Sequence, residues 1–150
     1  MLPNFLLEFK KNILHGDRIN WDDYFMSIAV LASCRSPCAR LNVGSVIIKN
    51  NRIISMGYNG YISGAPHISR IIDNHEQSII HSEVNAITDC ARRGVSLENS
   101  KIYVTHYPCP NCFRTIAACG IKEVVYLKDY NNSDIVCELA KDSSIILRKL

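Results

Sequence analysis

Apolar positions recur at intervals of three and four through Trp21, Phe25, Ile28 and Ala32, the spacing of one stripe along a helix. Asn20 stands just before that stripe, where a helix N-cap belongs, so the pattern predicts a helix from Asn20 to about Cys34. Residues 1 to 15 repeat the motif more loosely, with Phe5, Leu6, Phe9 and Ile13 at helical spacing, and predict a short N-terminal helix inside an extension of residues 1 to 19. Two β-branched runs follow, Val43 to Lys49 and Arg52 to Tyr58, joined by Asn50-Asn51, a dipeptide that tolerates the positive φ angles of a two-residue hairpin turn. Asn59 to Ile80 shows no period and is expected to be a long loop, which in a compact domain is usually functional.

Helical spacing returns at His81, with Val84, Ile87 and Ala91 on one face, and ends near Gly94 after Arg92 and Arg93, cations suited to the negative end of the helix dipole. A strand over Lys101 to Thr105, a helix from Pro110 to Cys119 stopped by Gly120, a strand over Glu123 to Leu127, a helix around Ser133 to Lys141 and a last strand, Ile145 to Leu147, complete the order ββαβαβαβ. Alternating strands and helices predict an α/β domain with a central mixed sheet of about five strands and helices on both faces.

Composition narrows the class. A chain of 150 residues suits one domain, and 47% hydrophobic with 21% charged residues is the balance of a folded globular protein. The net charge of +3 comes without a basic run, so neither a nucleic-acid partner nor a membrane surface is expected. The first residues lack the charged leader and apolar run of a signal peptide, and no apolar stretch reaches membrane-spanning length. Seven cysteines, an odd number, then favour reduced thiols and a cytoplasmic location over a disulfide framework.

That makes Cys109-x-x-Cys112 a metal or redox motif. Pro110 is suited to the first position of a helix, which places Cys109 at the N-cap and Cys112 three residues on, with both thiols at one helix terminus. The free N–H groups there favour thiolates, the form a metal binds. His81 and Glu83, two residues apart, would point to opposite sides in mid-helix. At a helix start, His81 can take the non-helical cap position with Glu83 in the first turn, so that imidazole and carboxylate border one cavity. One imidazole and two thiolates hold zinc and keep a position free for water, whose pKa falls to about 7. Glu83, outside the coordination shell, is the candidate general acid and base for moving the water's proton to a substrate nitrogen. The paired H-x-E and P-C-x-x-C motifs are the signature of zinc-dependent nucleobase deamination.

With these residues in place the chain resembles the deoxycytidylate (dCMP) deaminase family, through Trp21 to Met26, Val43-Gly44, Ser55 to Gly60, His81 to Ile87 and Thr105 to Cys112. The resemblance implies a three-layer cytidine-deaminase-like fold and hydrolytic deamination of dCMP to dUMP, the precursor of thymidylate. It implies catalytic Glu83, a single catalytic Zn2+ on His81, Cys109 and Cys112, and substrate contacts from Asn59, His106, Arg114 and Tyr130. It further implies a homohexamer activated by dCTP, with Mg2+ accompanying a bound triphosphate, inhibited by dTTP, and using Tyr58, Gly60 and Arg92 at the effector site or interface. Some relatives carry a structural zinc, for which Cys34, Cys38, His67 and His75 are the candidates.

The residues alone leave other readings beside these. Asn59, flanked by Gly57 and Gly60, is placed to approach a ligand or to close an Asx turn. Arg114 is either a phosphate ligand or a solvated cation, and His106 and Tyr107 either flank the base or are ordinary half-buried side chains. A dCMP/dCTP bifunctional enzyme, a nucleic-acid deaminase and a zinc-stabilised binding module without catalysis are the alternatives to the leading function.

Overall fold

A computed structural model describes residues 18–150. The expected N-terminal helix over residues 1 to 15 lies outside the described residues. Helix α1 (Trp21–Ser33) begins at Asn20, whose Oδ1 accepts from the N–H of Asp23 at 2.8 Å, the capping the sequence predicts. Strands β1 (Gly44–Lys49) and β2 (Arg52–Tyr58) form the expected antiparallel hairpin, with Asn50 and Asn51 at φ 51° and 56° in its turn.

The stretch from 59 to 80 is less plain than a loop. It carries β3 (Gly60–Tyr61), which pairs with β6 (Ile79–Ile80), and a small hairpin of β4 (Ile71–Ile72) with β5 (His75–Glu76). These two-residue strands are too short to show a period in the sequence. Helix α2 (Ser82–Arg93) then ends at Gly94, whose φ of 66° is the left-handed cap that glycine supplies without strain. Strand β7 (Lys101–His106), helix α3 (Pro110–Ala118), strand β8 (Glu123–Lys128), helix α4 (Asp134–Asp142) and strand β9 (Ile146–Lys149) follow.

The five-stranded sheet has the order β2-β1-β7-β8-β9, antiparallel from β2 to β7 and parallel from β7 to β9. The mixed sheet of five strands is therefore as expected. One core joins Ile47, Ile102 and Val104 of the sheet to Ala86 and Ile87 of α2, Phe113 and Ile116 of α3, and Val136 and Ala140 of α4. The opposite face packs Val46, Ile48, Tyr103 and Val125 against Phe25, Met26 and Ala29 of α1. Both faces are covered, which is why β1 reads as an unbroken apolar run. Among the described residues no helix is long and apolar enough to cross a membrane.

Two features lock the layers. A Cβ on Gly57 would lie 2.2 Å from the carbonyl oxygen of Ser82 and 2.7 Å from the nitrogen of Ala86, so only glycine lets the first turn of α2 lie this close to β2. On the other face, Asp22 at the start of α1 accepts from Tyr103 Oη at 2.6 Å and pairs with Arg148 Nη2 of β9 at 2.8 Å, while Arg148 Nε reaches Glu123 at 2.8 Å.

Hydrogen bonding from Arg148, outweighing the opposing effect of burial, holds the Asp22 carboxyl below the usual carboxylate range, with Tyr103 adding to it. The stability this contributes is present above the unfolded carboxylate pKa of about 4 and is lost as pH falls through the lower folded value. Asp22→Asn should be less stable than the parent by about 1 kcal/mol at pH 7, a partly exposed pair being worth no more. The gap should close as pH falls below about 4 and the parent's carboxyl protonates. Urea unfolding of both proteins across that range checks this; a gap independent of pH would show that the carboxylate charge contributes nothing.

Candidate metal and catalytic site

Two helix N-termini meet on one face of the sheet. His81 is the N-cap of α2, with extended backbone at ψ 153°, and its side chain makes no capping bond. Cys109 is the N-cap of α3, with ψ 160°, Pro110 follows it at the helix start, and its Sγ accepts from the N–H of Cys112 at 3.5 Å. Both placements are those the spacing predicts.

His81 Nδ1 lies 3.7 Å from Cys109 Sγ and 3.3 Å from Cys112 Sγ. A tetrahedral zinc with bonds of about 2.3 Å to sulfur and about 2.0 Å to nitrogen separates such atoms by about 3.5 Å, so the three residues fit the ion as they stand. All three ligand atoms lie within 4.8 Å of one another, and among the described residues this is the one group of three or more metal-ligand side chains so arranged. The second set, Cys34, Cys38, His67 and His75, does not assemble: His67 stacks on Tyr61 at 4.7 Å, and His75 is exposed on β5.

The charges are arranged for a cation. The Cys109 thiol is pushed down to about 4, chiefly by the hydrogen bond from Cys112 and then by His81. Cys112, donating to that thiolate and buried, is pushed up, and His81 is raised by its bond to Cys109. Glu83 is 4% exposed. Burial raises its carboxyl, Ser82 Oγ donates to it at 3.0 Å, and it acts on the Cys112 thiol, so it borders the ligand cluster without belonging to it.

The other predicted residues fall into separate places. His106 ends β7 with Nδ1 on Thr105 Oγ1 at 2.9 Å, which leaves Nε2 as the free ring nitrogen; burial lowers its pKa. Tyr130 meets it edge to face at 5.9 Å. Arg114 lies exposed on α3 with its guanidinium on the Asn111 side-chain carbonyl. Tyr107 turns into the core, where its hydroxyl donates to the carbonyl of Ser133 at 3.3 Å and its ring packs on Tyr126. Asn59 is buried and closes no Asx turn; its Oδ1 accepts from the Val43 N–H and its Nδ2 donates to the Leu41 carbonyl, each at 2.8 Å. Tyr58 is half-buried, Gly60 pairs with Ile80, and Arg92 is exposed near the end of α2.

Sequence reasoning did not single out Arg40 and Lys128. With His106, Ser33, Ser36 and Asn42 they line a cleft of about 500 Å³, and the positive charge of Arg40 is felt at His81. Arg40 sits in an irregular stretch, and Lys128 ends a strand; neither position differs in pattern from a surface cation.

A family model described as the cytidine and deoxycytidylate deaminase zinc-binding region matches residues 19–128. ComE operon protein 2 of Bacillus subtilis is 40% identical over 138 residues, covering 89% of this chain and 73% of its own length. The deoxycytidylate deaminase of Mycobacterium phage D29 is 37% identical over 127 residues, covering 75% of this chain and 98% of its own. The crystal structure of the dCMP deaminase of cyanophage S-TIM5 in complex with dCMP and dUMP superposes with a TM-score of 0.80 at 29% identity, covering 89% of this chain and 99% of the other. Together with ligand atoms already at zinc-binding separations, these matches show that the chain belongs to the cytidine and deoxycytidylate deaminase family.

Proposed function

We propose that this protein is a zinc-dependent dCMP deaminase, converting dCMP to dUMP with release of ammonia. The observation that carries the reading is the meeting of His81, Cys109 and Cys112 beside the buried carboxyl of Glu83. Relatives named deoxycytidylate deaminase, and a related structure in complex with dCMP and dUMP, support the choice of substrate.

His81, Cys109 and Cys112 would hold the zinc, which when bound would supply a water of lowered pKa. Glu83 moves the protons. Its buried carboxylate takes one proton from the attacking water and passes it to the ring nitrogen, then takes the remaining proton of the added hydroxyl and gives it to the departing amine, which leaves as ammonia. Burial suits it to this exchange, because a raised pKa makes the carboxylate a better proton acceptor while it can still return the proton. His106 and Tyr130 form an edge-to-face pair beside the cleft and border the sugar and base. Arg40 and Lys128 supply the positive charge for a single phosphate, with Arg114 outside the cleft lining. Activation by dCTP with Mg2+, inhibition by dTTP, a hexamer and the roles of Tyr58, Gly60 and Arg92 rest on the family resemblance, and a cytoplasmic location on the cysteine usage.

Glu83→Gln should lower kcat for dCMP by roughly a thousandfold, the range of a lost general acid and base. Zinc content by atomic absorption should stay near one per chain, since Glu83 is not a ligand. A variant that keeps zinc and turns over dCMP within a few-fold of the parent would remove the catalytic assignment.

The parent should prefer dCMP over deoxycytidine by about a hundredfold in kcat/KM, and Arg40→Ala should cut that preference at least roughly tenfold by raising KM for dCMP. Steady-state assays with the two substrates, and with a single-stranded oligonucleotide as the third, decide it. Equal use of nucleoside and nucleotide would sink the phosphate assignment, and turnover of the oligonucleotide would favour a nucleic-acid deaminase.

A further inference from the structure

The hydroxyl of Thr105 is buried between two partners. Pairing of β1 with β7 begins at Ser45 opposite Val104, so Gly44 stands opposite Thr105 where the ladder stops, and the Gly44 N–H donates to Thr105 Oγ1 at 3.1 Å in place of a strand carbonyl. Gly44 is held there by α1: a Cβ on it would lie 2.0 Å from the Ala29 carbonyl oxygen and 2.5 Å from the Ser33 nitrogen. The second partner of Thr105 Oγ1 is His106 Nδ1, at 2.9 Å. Thr105 is 3% exposed, and among the described residues its hydroxyl has no third partner.

Those two bonds decide where the protons lie. A hydroxyl accepts through its lone pairs and has one proton to give. The Gly44 N–H occupies a lone pair. If His106 also donated, from Nδ1, the hydroxyl proton would be buried without an acceptor, an arrangement folded proteins avoid. Thr105 therefore donates to Nδ1, and the ring carries its own proton on Nε2. Burial lowers the pKa of His106, with the charge of Lys128 adding to it, so the ring is neutral at pH 7 and donates from Nε2 alone.

The cleft has few other free donors. Ser33 Oγ donates to the Val30 carbonyl at 2.6 Å, Ser36 Oγ to the Asn59 carbonyl at 2.8 Å, and Asn42 Nδ2 to the carbonyls of Ser36 and Cys38 at 3.1 Å each. Arg40, Lys128 and the Nε2–H of His106 are left to meet a group that only accepts, as phosphate oxygens do.

We propose that Thr105 is a positioning residue for the substrate phosphate: its hydroxyl holds the His106 ring with Nδ1 inward and the proton on Nε2, so that a neutral imidazole gives the cleft a donor beside Arg40 and Lys128. The inference rests on the reading of that cleft as the seat of the phosphate. Thr105 touches no substrate; it acts through His106.

The tautomer is read without substrate, in zinc-loaded protein carrying 15N-labelled histidine, by long-range 1H–15N correlation at about pH 8, with the His106 signals assigned by their loss in His106→Gln. Parent and Thr105→Ser should carry the proton on Nε2. In Thr105→Val, which keeps the shape and loses the hydroxyl, the ratio of Nε2–H to Nδ1–H should fall roughly fivefold, the worth of one hydrogen bond. A ring with neither tautomer nor rotation fixed is competent only part of the time, and affinity falls by that fraction. Thr105→Val should therefore raise KM for dCMP roughly fivefold with kcat little changed, Thr105→Ser should stay within about twofold of the parent, and deoxycytidine, which has no phosphate, should be used by Thr105→Val within about twofold of the parent. If Thr105→Val does not fold, the ring is tested with Thr105 kept: the side-chain amide N–H of His106→Gln takes the place of Nε2–H, and that of His106→Asn the place of Nδ1. KM for dCMP should then be at least roughly fivefold lower in His106→Gln than in His106→Asn, and the opposite order would overturn the proposal. So would Nδ1–H as the main tautomer of the parent, an unchanged ratio in Thr105→Val, a Thr105→Ser variant as impaired as Thr105→Val, or an equal loss with deoxycytidine. A normal KM for dCMP in Arg40→Ala would instead overturn the phosphate reading on which the proposal rests, whatever the tautomer.

Discussion

The site depends on one close approach, that of the first turn of α2 to strand β2 at Gly57. No side chain fits there, since a Cβ would lie within 2.7 Å of two backbone atoms of α2. The same turn is bound on either side, by Ser55 Oγ donating to the Ala86 carbonyl at 2.8 Å and by Asn85 Nδ2 donating to the Tyr58 carbonyl at 2.6 Å. Three consecutive contacts thus fix both the position and the rotation of the helix start. The rotation matters most, because His81 and Glu83 border one point only while His81 keeps the extended backbone of a cap and Glu83 lies inside the turn. A helix begun one residue earlier would carry the imidazole and the carboxylate to opposite sides.

The convergence of α2 and α3 on that point also sets its electrostatics. Two helix N-termini bring positive partial charge, and three acidic groups, Cys109, Cys112 and Glu83, lie against them. Without a counter-charge they compete: Cys109 is held well below the ordinary thiol range while Cys112 and Glu83 are pushed up. A divalent cation is the partner that lets both thiols give up their protons, and the separations of Nδ1 from the two sulfurs already suit it. Glu83 is the acidic group left outside that ligand set.

The parts legible in the sequence are those governed by local rules. Asn20, Asn50-Asn51, Cys109-Pro110 and Gly94 mark caps and turns whose chemistry acts over a few residues, and each stands where that chemistry predicts. The parts that escaped are long-range. Tyr107 differs from its neighbour His106 only in which side of the strand end it leaves, and it goes to α4 instead of the cleft. Asn59 shows in the sequence as an amide near two glycines, but its partners lie some sixteen residues away, beyond any pattern a single strand displays. Gly57 reads as a flexible neighbour of a ligand site, whereas its cause is the α2 backbone pressed against it. Arg40 carries no pattern at all, because its place in the cleft is set by other chain segments, Ser33 to Ser36, His106 and Lys128.

Those segments explain why the cleft suits a small anion. His106 and Lys128 stand in register at the ends of the parallel strands β7 and β8, so the topology places them side by side. Thr105 Oγ1 accepts from the Gly44 N–H at 3.1 Å and bonds to His106, tying the start of β1 to the same edge, and the chain runs on from it to Cys109 and Cys112 at the start of α3. This is the crevice beyond the carboxyl ends of the strands where open α/β sheets receive ligands. Two cations, Arg40 and Lys128, line this cleft with His106, and the positive charge of Arg40 is felt at His81, so cleft and metal ligands share one electrostatic field.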